Sequence, residues 1–415
     1  MVRFEVDKYE LNKEYYLAAL LSVKEMTRWQ KNYAAELMTN VDGEKFQKEV
    51  IEHRVYGLVM KNVQRLNLFT EGNCAKINEK ANQQIFDSMK LSSELVKINQ
   101  KFSEKGIRLL MMKGPILGNE LYGDITKRTS RDLDILVSLK DVDKAKDALN
   151  ELGYQTRCFN KYTAKQMDYI YLQGHHFDFW SSEGREIELH WKMSETWDAT
   201  LEELWENRRE IKFVGKQIAI PGETEELMFL IHHGIGHGFH RMKWLIDIVE
   251  FIKQGRVVWA DVIEYTCKTK RINELFAGVI LCYVMDAFDM PDIVSENFSI
   301  HKEEKNVIIE LYQDNDKQFA KAIESAKRLV SAMKPVVCYE QGNRDFIVDS
   351  REYIKYYHTY IKEIDSFQGR KKIQRLWQRV QPGERDFNWI HLKDQCFVLY
   401  YILRPIYWVY LVIKR

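Results

Sequence analysis

Apolar residues recur at spacings of three and four through the first part of the chain. LAALLSVKEMTRWQKNYAAELM and KEVIEHRVYGLVMKNVQRLN carry that spacing, and residues 92–105 continue it, which predicts helices. The period then changes. Residues 107–112 are an unbroken apolar run that stops at Gly114-Pro115, as a strand entering a turn does. Residues 116–122 can form a short helix. Residues 132–137 alternate with period two and read as a second strand. Residues 140–152 are amphipathic, with Gly153 just past their end as a C-terminal cap. Residues 154–159, 175–180 and 185–191 read as further strands. Ser182-Glu183-Gly184 turns the last two into a hairpin. Residues 212–220 add another strand before Pro221-Gly222. From Glu223 the pattern is helical almost to the end, and only six prolines interrupt the chain. The expected fold is α+β. A small mixed β-sheet core at residues 101–222 lies between an N-terminal helical region, 1–100, and a C-terminal one, 223–415. No internal repeat or low-complexity tract is present.

Composition narrows the function classes. With 415 residues, 45% hydrophobic and 30% charged, the chain has material for two or three cored domains. A net charge of +1 gives no strong nucleic-acid signal, although a local basic groove stays open. The six cysteines are scattered with no CxxC, so a zinc ribbon or redox pair is unexpected. Free thiols fit a cytoplasmic protein. The opening MVRFEVDKYELNKEYY is too charged for a signal peptide.

The candidate chemistry lies in RTSRDLDILV. Strand alternation puts Asp132 and Asp134 on one face and Leu133, Ile135 and Val137 on the other. The same rule puts Glu186, Glu188 and His190 together, opposite Ile187, Leu189 and Trp191. Asp132, Asp134 and Glu188 on adjacent strands would repel strongly. The sequence offers no obvious cationic partner between them, and a divalent metal is the usual neutraliser. That points to phosphoryl or nucleotidyl chemistry with Mg²⁺ (or Mn²⁺). The alternative is a set of solvated acids on an open sheet face. D-x-D alone would favour that alternative; the upstream glycine turn and the later acidic strand favour a site.

A glycine turn, then D-x-D in a strand, then a third acidic strand resembles the nucleotidyltransferase superfamily that includes DNA polymerase β. More narrowly, the chain resembles the bacterial group described as uncharacterised nucleotidyltransferases. The likeness runs in order through EHRVYGLV, GIRLLMMKGPILGNELYGDITKRTSRDLDILV, IELHW, HHGIGHGFHRMKWLID and LYYILRPIYW. The resemblance implies that Asp132 and Asp134 hold metal. It implies that Glu188 completes one site and assists deprotonation of an acceptor. The acceptor hydroxyl would attack the α-phosphate of a nucleoside triphosphate and release pyrophosphate. Small molecule, sugar, protein side chain and RNA end all remain open as acceptors.

Two departures from the superfamily pattern matter. Its turn is usually Gly-Gly or Gly-Ser; here it is Lys113-Gly114-Pro115. Proline has no N–H to donate, so Lys113 would supply a point charge for the triphosphate instead. The interval from Gly114 to Asp132 is also longer than usual. It brings in Arg128 and Arg131, which suit a triphosphate or, alternatively, pair with a neighbouring acid. His233 and His237 lie four apart and share a helix face. They are core residues, or they line the nucleotide or acceptor pocket. The resemblance favours the pocket and gives His237 a binding role. Zinc would need a further ligand, and no HExxH is present. Lys243 either pairs with Asp247, one turn away, or reaches phosphate.

Residues 396–413 are apolar and aromatic, broken by Arg404-Pro405. They follow a basic stretch with Arg370, Lys371, Lys372, Arg375 and Arg379. The run is marginal for a membrane span. Tyr400, Tyr401, Tyr407, Trp408 and Tyr410 suit either a packed helix or peripheral membrane contact by the C-terminal tail. Two rival functions follow: a non-catalytic nucleotide- or partner-binding protein on the same fold, and a membrane-surface scaffold.

Overall fold

The computed structural model describes residues 2–156, 161–197, 199–312, 317–339, 350–369 and 380–413. The fold is α+β, with helices throughout and small sheets. The described strands are β1 (Val2–Asp7), β2 (Leu109–Met112), β3 (Asp132–Val137), β4 (His176–Trp180), β5 (Glu186–His190), β6 (Arg209–Phe213), β7 (Lys216–Ile220), β8 (Ile293–Val294), β9 (Phe298–Lys302) and β10 (Asn306–Leu311). The chain divides into two compact units. The first comprises Met1–Ser92, Lys113–Ser130 and Gly222–Gly369. The second comprises Ser93–Met112, Arg131–Pro221 and Arg370–Arg415.

The second unit contains the sheet β2-β3-β5-β4. Its strands β3 and β5 are parallel; β2–β3 and β4–β5 are antiparallel. Leu133, Ile135, Val137, Phe177, Phe179, Ile187 and Leu189 are all buried, so one face of the sheet is core. The acidic alternation therefore falls on the other face, as the two-residue period requires. The predicted hairpin at Ser182-Glu183-Gly184 is present, with Gly184 at a φ of 77°. The predicted helix is Val142–Glu151, and Gly153 follows it at a φ of 88°. The single strand expected at 212–220 is instead the hairpin β6–β7, because Val214-Gly215 turn the chain with positive φ at both residues. Of the strand expected at 154–159, Gln155 bridges Trp180 in isolation; residues 157–160 lie outside the described residues. An unexpected helix, Ala164–Gln173, begins at a capping box. Thr163 Oγ1 accepts from Gln166 N, and Gln166 Oε1 accepts from Thr163 N.

The first unit is helical with one sheet, β1-β10-β9-β8, antiparallel throughout. This corrects the wholly helical reading of both flanks. VRFEVD alternates apolar and charged residues, and Val2 is in register with Leu311. The helices Ile272–Val284 and Lys317–Val337 pack on one another and touch this sheet.

In the second unit the C-terminal helix Leu399–Ile413 packs against Glu384–Trp389. Tyr400 is buried. Its hydroxyl donates to Ile390 O at 2.7 Å and accepts from Gln166 Nε2 at 2.9 Å. Arg404 pairs with Asp386, and Tyr407 stacks on Trp389. Val398, Leu399, Ile402 and Ile406 remain exposed. Among the described residues, no helix is long and apolar enough to cross a membrane. The basic residues Arg370, Lys371, Lys372, Arg375 and Arg379, and the side chains of Trp408 and Tyr410, lie outside the described residues.

Candidate functional site

In the second unit, the parallel pairing of β3 and β5 sets Asp132 opposite Glu186, Asp134 opposite Glu188 and Leu136 opposite His190. On the other side of β5, antiparallel β4 sets Asp178 opposite Glu188 and His176 opposite His190. Residues directly opposite share a face, so these acids and imidazoles gather on the non-core side of one small sheet. Asp134 is 2% exposed, whereas Glu188 keeps 26% of its side chain in solvent.

The sequence offered no obvious cationic partner between the acids; the structure places the His190 imidazole there. His190 Nε2 sits 3.2 Å from Glu188 Oε2 and 3.6 Å from Asp134 Oδ1. Burial disfavours its imidazolium, but hydrogen bonds to Asp134 and Glu188 and their charges outweigh burial, and its pKa is raised. Crowding is visible at Glu186. Burial, then the charges of Asp132, Asp178 and Glu188, push its carboxyl above the usual range.

Asp134, Glu188 and His190 bring one ligand atom each to within 4.8 Å of one another, and so do His176, Asp178 and Glu188. Two carboxylates with an imidazole fit a divalent cation. Asp132 lies one pleat along, opposite Glu186 and outside these clusters. His176 and Asp178 were missed in the sequence. HHFDFW does carry the alternation that puts them on one face, but the strand order that makes it the acidic face is not local.

The remaining predicted residues, apart from Arg131, belong to the first unit. The chain leaves β2 at Lys113, whose φ is 52°, and Gly114 follows at 63°. Two consecutive left-handed residues make this a sharp turn, and glycine tolerates it best. The helix Gly114–Tyr122 starts there, with Pro115 in its first turn where no N–H is needed. Lys113 Nζ lies 3.5 Å from His233 Nδ1 and 5.0 Å from the centre of the Phe229 ring. His237 stacks on Trp244, and His233 and His240 meet the same indole edge-on. Burial, then the positive charges of Lys113, His237, Lys243 and Arg128, hold the His233 pKa well below its ordinary value. His237 is lowered to about 3 by burial, then by His240, Lys113 and Lys243. Both rings are therefore neutral acceptors or donors in a positive field. The metal-ligand clusters of the described residues include neither of them.

Arg128 is buried and donates through Nε to Asp247 Oδ2 at 2.9 Å and through Nη1 to Ser130 Oγ at 2.9 Å. One of its two expected roles, the ion pair with an acid, is present. Lys243 Nζ donates to Thr129 O at 3.1 Å. Arg131, in the second unit, is exposed immediately before β3.

No curated protein matches the chain. Among solved structures, it is similar to the solution structure of the antibiotic-resistance factor ANT(2'')-Ia, with 13% identity and a TM-score of 0.31. That match covers 45% of this chain and 92% of the other. The model of the uncharacterised nucleotidyltransferase family matches residues 39–285, a span that takes in the lysine-glycine turn, β3, β5 and the histidine segment. That span is more than half of the 415 residues, and the chain belongs to the uncharacterised nucleotidyltransferase family.

Proposed function

We propose that this protein moves a nucleoside monophosphate from a nucleoside triphosphate to an acceptor hydroxyl, releasing pyrophosphate, in a reaction that requires Mg²⁺ or Mn²⁺. The observation that carries the reading is the parallel register that sets Asp134 against Glu188 and Asp132 against Glu186 on one sheet face. A bound divalent ion would neutralise the phosphates and polarise the α-phosphorus. Asp134 and Glu188 would hold it, Asp132 would add a carboxylate, and His190 orients Asp134 and Glu188 through Nε2. Glu188, the more exposed acid of the pair, takes the acceptor's proton. Arg131, next to β3, offsets triphosphate charge; Lys113, Lys243 and His237 keep the nucleotide-binding role that the family resemblance implies. Arg128 holds the segment after the Gly114 helix in place through Asp247. The expected setting is the cytoplasm.

The test is label transfer. The protein is incubated with α-³²P- or γ-³²P-labelled triphosphates, Mg²⁺ or Mn²⁺, and a cell extract. The α label should move to an acceptor, which the label then identifies, and the γ label should leave in pyrophosphate. Transfer of the γ label to the acceptor would make this a kinase and overturn the reading.

A peripheral membrane role for the tail is favoured by one observation, the exposure of Val398, Leu399, Ile402 and Ile406 near the start of the C-terminal helix. Full-length protein should then sediment with anionic liposomes, and replacing these four residues by serine should abolish it. Equal sedimentation of both proteins would remove that role.

A further inference from the structure

His176 and His190 are cross-strand partners in β4 and β5, with ring centroids 4.9 Å apart. Both rings are engaged through Nε2. His190 Nε2 meets Glu188 and Asp134, and His176 Nε2 lies 3.1 Å from Asp178 Oδ1. The Nδ1 atoms of both are buried and have no hydrogen-bond partner among the described residues. His175, just before β4, has its ring centroid 4.3 Å from that of His176 and 5.5 Å from that of His190. One nitrogen from each of the three rings lies within 4.8 Å of the other two.

This is the arrangement in which histidine binds metal. A carboxylate that accepts the Nε2 proton fixes the tautomer, leaves a lone pair on Nδ1 and raises its donor strength. Two such carboxylate-backed rings stand side by side here, each with its other nitrogen unmet. An all-imidazole set selects borderline transition ions over Mg²⁺, which keeps to oxygen.

We propose that His175, His176 and His190 form a second cation site on this sheet, specific for a nitrogen-preferring divalent ion such as Zn²⁺ or Co²⁺. It adjoins the carboxylate cluster through His190 but does not rest on the nucleotidyl-transfer reading. Asp134, Glu188 and Asp178 act toward it as the groups that hold the rings.

The probe is Co²⁺, followed by visible absorption on chelator-stripped full-length protein without nucleotide. A saturable ligand-field band should appear, be displaced by Zn²⁺ and persist in excess Mg²⁺. His175→Gln and His176→Gln should each weaken Co²⁺ binding by about tenfold or more. Both side chains are only half-buried, so the variants should keep the wild-type melting curve. Glu183→Gln, in the turn between β4 and β5 and outside the cluster, should bind Co²⁺ as the wild type does. The proposal is overturned if the wild type gives no band, or if both histidine variants bind Co²⁺ unchanged. It is also overturned if Asp132→Asn alone loses the band, which would put the ion among the carboxylates.

Discussion

Arg128 and Asp247 form an ion pair at 2.9 Å with side chains only 4% and 1% exposed. Tyr122 donates to the other carboxylate oxygen at 2.8 Å. Breaking such a pair leaves a buried charge without its partner, which costs about 3–5 kcal/mol. Asp247→Ala should therefore lower the unfolding free energy by about that amount in urea denaturation. A loss under about 1 kcal/mol, the range of exposed pairs, would mean that water replaces the partner.

The acids on β3 should separate in their effects. Glu186 is pushed up by burial and then by Asp132, so Asp132→Asn relieves repulsion and metal-free stability should hold or rise. Asp134→Asn removes a partner of His190, and metal-free stability should fall. Both should abolish metal-dependent triphosphate binding in calorimetric titrations run with and without Mg²⁺ or Mn²⁺. Unchanged binding in both variants would remove these carboxylates from the site.

Lys113 follows β2 directly, and Pro115 cannot offer the N–H that a Gly-Ser turn would. A charge-assisted contact contributes roughly 1.5–3 kcal/mol. Lys113→Met should weaken triphosphate binding by about tenfold to a hundredfold, at ~1.4 kcal/mol per decade. Monophosphate binding should change much less. Equal triphosphate affinity in wild type and variant would show that the lysine does not reach the phosphates.

His237 predicts a pH dependence. Burial, then His240, Lys113 and Lys243, lower it from 6.5 to about 3, so the folded protein keeps this ring neutral where the unfolded chain protonates it. Its contribution to stability is complete above the unfolded value and is lost as pH falls toward the folded one. Urea denaturation from roughly pH 7 to pH 4 should show stability falling with acid. His237→Gln should flatten that slope. An identical slope in the variant would assign the acid sensitivity to other groups.

Local pattern determined part of this protein. The two-residue period placed Asp132 with Asp134 and Glu188 with His190, and it marked which side of each strand is core, because side-chain alternation is a property of one strand. The cap glycine after Val142–Glu151 and the turn at Gly184 were legible because φ preferences are local as well. The T-x-x-Q box before Ala164–Gln173 and the alternation of VRFEVD were equally local, but each is a short signal inside a region of the other period.

Which strands lie side by side was decided only in three dimensions. Val2 pairs with Leu311, a partner no window along the chain contains. The β2-β3-β5-β4 order turned His176 and Asp178 toward the acids of β3 and β5. It also put His190, which the sequence showed merely as sharing a face with Glu188, within reach of Asp134. Arg128 was ambiguous for the same reason, since its partner Asp247 lies far along the chain. Hydrogen-bond ladders and ion pairs form between segments that folding brings together. Their choice depends on burying every core face at once, a condition on the whole molecule that no single segment encodes.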